Sequence, residues 1–326
     1  MQAAIYTRYG PPDVVQVLEV PRPAPKDNEV LIRVRAASLN PLDYTWMRGK
    51  PYPIRLMGGL RAPKDTRLGA DVAGVVEAVG GMVTRFKPGD AVYGICRGSL
   101  AEYVCVSESA GMLSALAIKP QNLTFEQAAA APVAAITALQ ALRDKGHIQP
   151  GHQVLVNGAA GGVGTFAVQI AHAFGAVVTG VCSTRNLDLV RSLGANTVID
   201  YTQQDFTNGG QRYDILFDCI GNHSFSECRR VLKPNGKLLG VGAPHTGWFG
   251  PIDRLLLGFV LSWFTPRMVP FIAKAGPDDL MALHGLFKAG KITPVIDKCY
   301  RLTQVSEAIG HLEAGHARGK VVISVE

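Results

Sequence analysis

Eight consecutive residues, Asn157-Gly158-Ala159-Ala160-Gly161-Gly162-Val163-Gly164, constrain this chain more than any others. The apolar run Val154-Leu155-Val156 leads into them and the helix-like run Phe166-Ala167-Val168-Gln169-Ile170-Ala171 follows. Strand, glycine turn and helix in that order make the phosphate-binding corner of a doubly wound α/β fold. The glycines permit the tight turn and let backbone N–H groups approach a phosphate, while the helix N-terminus adds partial positive charge. A three-glycine match alone is weak, and the flanking elements supply its weight. The run predicts a dinucleotide pyrophosphate site formed by Gly158, Ala160, Gly161, Gly162, Val163 and Gly164.

Folds of this type usually carry an acidic residue at the end of the second strand, about 20 residues past the loop, to accept the ribose hydroxyl hydrogens. The chain reads Cys182-Ser183-Thr184-Arg185-Asn186 there, with no acid. Ser183, Thr184 and Arg185 place two hydroxyls and a guanidinium where a 2′-phosphate would sit, and a planar Arg fork suits phosphate. NADPH is therefore expected over NADH. The alternative leaves Arg185 as a solvated residue at a helix start.

A chain of 326 residues leads us to expect two domains. From 30 to about 106 the pattern is of short strands and turns, at 30–34, 73–79 and 91–93, punctuated by glycine and proline, as in an antiparallel barrel. Thr124 and Glu126-Gln127 open an Ala-rich helical stretch, and from Gln153 apolar strands alternate with helices. Those strands, at Gln153–Asn157, Val177–Cys182, Thr197–Asp200, 215–219 and 237–241, suit a parallel sheet covered on both faces. A helix at 278–289 and strands near 295 and 320–325 return to the first domain. The expected division is 1–123 with 276–326, and 124–275.

The net charge of +7 comes from scattered Lys and Arg, so nucleic-acid binding is not supported. Six cysteines without C-x-x-C spacing read as reduced thiols. With no signal-type N-terminus, a cytoplasmic location is expected. The apolar stretch 252–264 includes Asp253 and Arg254 and is too short to span a membrane, which leaves a buried helix or a flap over a pocket. Zinc prefers thiolate and imidazole ligands, yet Cys96 and Cys105 lack ligand spacing and the histidines are dispersed, so no metal is expected.

Asn40-Pro41-Leu42-Asp43 with Arg48-Gly49, Gly69-Ala70-Asp71-Val72-Ala73-Gly74, Gly89-Asp90-Ala91-Val92-Tyr93-Gly94, Gly98-Ser99-Leu100-Ala101-Glu102-Tyr103, the glycine loop and Arg318-Gly319-Lys320 occur in one order. Together they resemble the zinc-free branch of the medium-chain dehydrogenase/reductase superfamily, the quinone oxidoreductases related to zeta-crystallin. The resemblance spans nearly the whole chain. Zinc members carry Gly-His-Glu where this chain has Gly69-Ala70-Asp71.

The resemblance implies an α/β fold: a GroES-like antiparallel β-barrel catalytic domain plus a Rossmann doubly wound parallel-sheet cofactor domain. It implies hydride delivery from NADPH to a small hydrophobic electrophile, a quinone or the double bond of an enone or enal, by a homodimer. Asn40 and Asp43 would lie beside the nicotinamide, Thr137 would contact the cofactor, and Arg185 and Tyr201 would embrace the adenosine phosphate. Cys219, Gly221 and Gly240-Val241-Gly242 would pass near the nicotinamide ribose, with Lys320 closing from the C-terminal segment. Relatives often place a phenol two residues after the aspartate. Thr45 stands there, so Tyr44 and Tyr52 are the candidate phenols. Asn40 and Asp43 could equally form an Asx turn, and Asp43 could pair with Arg48 one helical turn away. The competing activities are carbonyl reduction by NADPH, and NADPH binding for sensing or interaction with little turnover.

Overall fold

The structure is a computed structural model describing residues 1–109, 111, 114–242 and 267–325. The chain divides into two compact units, Met1–Ile136 with Lys274–Glu326, and Thr137–Ala273. The apolar stretch 252–264 lies outside the described residues. No described helix is long and apolar enough to cross a membrane.

In the first unit, Gln2–Tyr6 (β1) pairs antiparallel with Val15–Glu19 (β2). Glu29–Ser38 (β3), Asp71–Val79 (β4), Ala91–Ile95 (β5), Tyr103–Ser107 (β6) and Ala115–Ile118 (β7) join the later Ile296–Arg301 (β14) and Lys320–Ser324 (β15) in one sheet. β3 organises it. One edge pairs with β4, while the other is shared, Glu29 to Arg33 by β6 and Ala36 to Ser38 by β15. Register shifts between Leu31 and Ile32 and between Val34 and Ala36 add local twist and let one strand serve three partners. Val30, Ile32, Val34, Val72, Val76 and Val92 fill its core, the β-branched residues that suit a pleated buried surface.

The antiparallel first domain expected from the sequence is present, with one departure: β14 and β15 are parallel. Parallel neighbours need a crossover, here supplied by the helix Val305–Glu313. Phe125–Ala129 (α3) stays with the first unit, packed on β3 and β4. The division falls inside Pro132–Gln140 (α4) rather than at Thr124, which is the N-cap of α3.

The second unit holds Gln153–Asn157 (β8), Val177–Cys182 (β9), Thr197–Asp200 (β10), Tyr213–Asp218 (β11), Leu232–Gly240 (β12) and Met268–Pro270 (β13). All are parallel, in the order β10-β9-β8-β11-β12-β13. The chain winds outward from β8 in one direction and then from β11 in the other. Ligands of such sheets bind beyond the carboxyl ends of the strands at that switch point, where the glycine run leaves β8. Val154, Leu155 and Val156 are fully buried, as strands covered on both faces require.

Candidate active site

The glycine loop joins β8 to Gly162–Ala173 (α5). Gly158 has φ of +84°, and a Cβ on Gly164 would stand 2.0 Å from the Gly158 carbonyl oxygen, so both positions exclude any side chain. Gly161 differs: a Cβ there would meet only the Gly158 oxygen, at 3.4 Å. Its own surroundings scarcely demand glycine. Gly161 is also the N-cap of α5 and offers no side chain to the first helical N–H groups. A helix start lacking a side-chain acceptor, lined by a glycine that packing does not require, fits a bound pyrophosphate.

One carboxylate shapes the neighbouring turns. Asp218 Oδ1 accepts hydrogen bonds from Asn157 Nδ2 at 2.9 Å, Ile220 N–H at 3.1 Å and Gly221 N–H at 2.8 Å. Its backbone carbonyl accepts from the Val241 and Gly242 N–H groups, both at 3.0 Å. A Cβ on Gly242 would lie 1.7 Å from the Cys219 oxygen. Cys219, Gly221, Gly240, Val241 and Gly242 therefore gather at the ends of β11 and β12. Asp218 and Asn222, which accepts from Asn157 Nδ2 at 2.9 Å, were not anticipated. The available signal was an acid ending an apolar strand and followed by Cys219-Ile220-Gly221.

Ser183, Thr184, Arg185 and Tyr201 share the corner formed by the ends of β9 and β10. Arg185 is exposed, Tyr201 is 59% exposed, and the Tyr201 N–H donates to the Cys182 carbonyl. The sequence offers no acid after β9, yet Asp200, paired opposite Cys182, brings one to the same corner from the adjacent strand. Its Oδ2 accepts from the Thr184 hydroxyl, and its Oδ1 accepts from the Thr202 N–H and hydroxyl at 2.9 and 2.7 Å. The Thr184 bond, with those from Thr202, holds the carboxyl below the usual range. Thr137 lies half-buried in α4.

In the first unit, Asn40 caps Pro41–Arg48 (α1). Asp43 Oδ2 accepts from the Asn40 N–H at 2.7 Å and Oδ1 from the Gly69 N–H at 3.0 Å. Burial pushes the Asp43 carboxyl up to about 6 despite these two donors. Behind it lies a buried network. Lys320 Nζ donates to Asn40 Oδ1 at 2.6 Å, to Asp71 Oδ2 at 3.1 Å and to the Leu39 carbonyl at 3.1 Å. Asp71 also accepts from Asn40 Nδ2 at 2.9 Å, the Ser38 hydroxyl at 2.7 Å and the Val133 N–H at 2.8 Å. Lys320 is 4% exposed and Asp71 not at all, so this ion pair survives burial through its surrounding hydrogen bonds.

Of the residues expected here, Asn40, Asp43 and Lys320 come together. Asp71, their hub, was read only as part of Gly69-Ala70-Asp71. Arg48 does not pair with Asp43: its guanidinium forks onto Glu313, because α1 packs on the helix Val305–Glu313.

A pocket of about 200 Å³ opens in this unit, with Asp43, Gly69, Ala70 and Cys96 in its wall. Its phenol is Tyr6. Neither expected tyrosine lines it: Tyr44 packs against the core formed by Leu39 and Met47, and Tyr52 is exposed, 5.1 Å from the Arg55 guanidinium carbon. Burial raises the Tyr6 and Tyr44 hydroxyls to about 12. Tyr6 escaped notice because β1 lies far along the chain from the other wall residues. Burial also raises the Cys96 thiol. Among the described residues no three His, Cys, Asp or Glu side chains gather as a metal-ligand set.

A six-stranded parallel sheet with a glycine corner, joined in one chain to an antiparallel unit carrying a pocket, fits a dinucleotide-dependent oxidoreductase. Residues 26–117 match the alcohol dehydrogenase GroES-like domain family and residues 193–323 the zinc-binding dehydrogenase family. The chain is 36% identical to the 2-methylene-furan-3-one reductase of Solanum lycopersicum over 99% of its own length and 79% of the relative's. Identity and coverage are the same for the chloroplastic NADPH-dependent alkenal/one oxidoreductase of Arabidopsis thaliana. The quinone oxidoreductase structure from Coxiella burnetii superposes with a TM-score of 0.85 at 31% identity, covering 100% of this chain and 99% of that one. The chain belongs to the quinone oxidoreductase and alkenal/one oxidoreductase family of the medium-chain dehydrogenase/reductase superfamily.

Proposed function

We propose that the protein reduces quinones or the carbon–carbon double bond of α,β-unsaturated carbonyls with NADPH. The observation that carries the cofactor choice is the corner at β9 and β10. Both Asp200 oxygens are engaged by threonines rather than offered to ribose hydroxyls, and exposed Arg185, with Ser183 and Tyr201 beside Thr184, would receive a 2′-phosphate. Gly158, Ala160, Gly161, Gly162, Val163 and Gly164 would hold the pyrophosphate. Cys219, Gly221 and Gly240 to Gly242 would leave backbone room for the ribose and nicotinamide, to which Thr137 would add a hydroxyl.

When bound, the dinucleotide supplies a hydride. As an enone accepts it at the β-carbon, negative charge gathers on the carbonyl oxygen and must meet a hydrogen-bond donor. Tyr6, protonated throughout the neutral range and set in the pocket wall, would be the donating phenol. Asp43, which keeps its proton to about pH 6, is the second donor of that wall below this pH. Asn40 acts behind them, its amide fixed between Asp71 and Lys320.

The decisive assay follows NADPH oxidation with matched enones and quinones and identifies the products. A saturated ketone supports the proposal, whereas an allylic alcohol would reassign the enzyme to carbonyl reduction. Tight NADPH binding with no turnover across the panel would leave a binding protein. For the cofactor, Arg185→Gln should lower the NADPH over NADH ratio of kcat/KM about tenfold, the scale of one charge-assisted hydrogen bond. An unchanged ratio removes Arg185 from phosphate recognition.

A further inference from the structure

The lining of the first-unit pocket has two chemical characters. Leu42, Trp46 and Met57 are apolar, with Leu42 and Met57 substantially exposed. Lys64, Arg67 and Arg97 are cationic, against the two carboxyl groups of Asp43 and Asp65. Asp43 is buried and held by the Asn40 and Gly69 N–H groups, so Asp65 is the carboxylate among the cations. The Asp65 carboxylate is seated on Arg67 as a fork, Nε to Oδ1 at 2.9 Å and an Nη to Oδ2 at 2.9 Å, and only a longer 3.8 Å pair links it to Arg97. Asp65 balances one charge of the three and Asp43, once ionised above about pH 6, a second, so the lining keeps a positive surplus on the side of Lys64 and Arg97. The Asp65–Arg67 pair shows the geometry in which this cluster takes an anion: a carboxylate on a planar guanidinium.

From this pairing of apolar wall and surplus cations we infer that the acceptor carries a carboxylate, so that, resting on the reductase activity proposed above, the substrate class narrows to enones, enals or quinones bearing an acid group. The acid would sit at Lys64 and Arg97, and the hydrocarbon part against Leu42, Trp46 and Met57. The acid takes no part in the redox step. One hydride from NADPH and one proton from solvent add across the double bond, and the saturated acid and NADP⁺ leave.

The test compares a vinyl ketone with a terminal carboxylate, its methyl ester, and the parent vinyl ketone without the acid. The wild type should favour acid over ester about tenfold in kcat/KM, mainly through KM, since exposed cations contribute modestly each. In a Lys64→Gln/Arg97→Gln variant, and in the wild type at about 1 M salt, where screening acts within roughly 3 Å, that ratio should fall toward one. A wild-type ratio at or below one, a ratio unchanged in the variant, or a variant defect confined to the KM for NADPH overturns the inference. Reduction of the parent ketone without acid preference sinks the carboxylate alone. If neither ketones nor quinones are reduced, the reductase activity fails and this inference fails with it.

Discussion

The glycine corner of the second unit and the Asn40–Asp71–Lys320 cluster of the first are made rigid by opposite means. At the corner, side chains are absent: Gly158 and Gly164 lie so close that a methyl group on Gly164 would strike the Gly158 carbonyl. In the cluster, side chains do everything, and Asp71 alone gathers four donors. A site made by close backbone approach tolerates no added atom. A site made by buried charges tolerates no removed partner, because whatever remains is left uncompensated in a poor solvent for charge.

The largest expected effect comes from breaking the cluster. Lys320→Met should cost about 3–5 kcal/mol in chemical denaturation by leaving Asp71 charged and buried. Lys320→Met/Asp71→Asn should recover part of that loss. A double variant no better than the single one would mean that the charge of Asp71 is not the source of the cost.

Asp43 sharpens the contrast through pH. Its folded-state proton affinity is raised from 3.8 to about 6, so the folded chain holds this proton longer than the unfolded chain does. The stabilisation is fully present below pH 3.8 and is lost as pH rises to about 6, a change of about 3 kcal/mol at 1.36 kcal/mol per unit. Measured against Asp43→Asn, the wild type should lose stability across that window. Parallel curves would show an ordinary carboxyl.

At the corner, Gly164→Ala should weaken NADPH binding about a hundredfold, the scale of an ångström-sized misplacement, as read by fluorescence titration. Gly161→Ala should leave the melting temperature near that of the parent while still raising the Kd for NADPH. Equal losses of stability in the two variants would refute the distinction drawn from their Cβ contacts. The smallest effect is expected for Asn40→Ala, about 1–3 kcal/mol for the donors and acceptors it leaves buried, together with a lower kcat in the enone assay. Turnover within a factor of about two of the parent would end its positioning role.

The same contrast explains what was legible beforehand. The corner is contiguous: strand, glycines and helix lie within 153–173, and Gly158 and Gly164 answer local backbone demands. Parallel strands buried on both faces declare themselves as apolar runs in the same way. The first-unit site draws on positions 38–43, 69–71, 133 and 320, so its membership was visible only through the family's motifs, and its hub was not visible as a hub. Tyr44 and Tyr52 lay next to the motif in sequence, yet α1 turns the first against the core and leaves the second exposed. The pocket takes its phenol from β1 instead. Asp200 went unrecognised for a similar reason, since strand pairing rather than chain proximity sets it beside Thr184.

Taken alone, the sequence determined the order of elements, the unit that receives a dinucleotide and the turn that faces its phosphates, because backbone conformation and hydrophobic period are properties of neighbouring residues. Only the tertiary structure decided which acid holds Lys320, which phenol and which cations line the pocket, and how far Asp43 is shifted. Those outcomes depend on burial and partner distance, and both are set by strand pairings that join residues hundreds of positions apart.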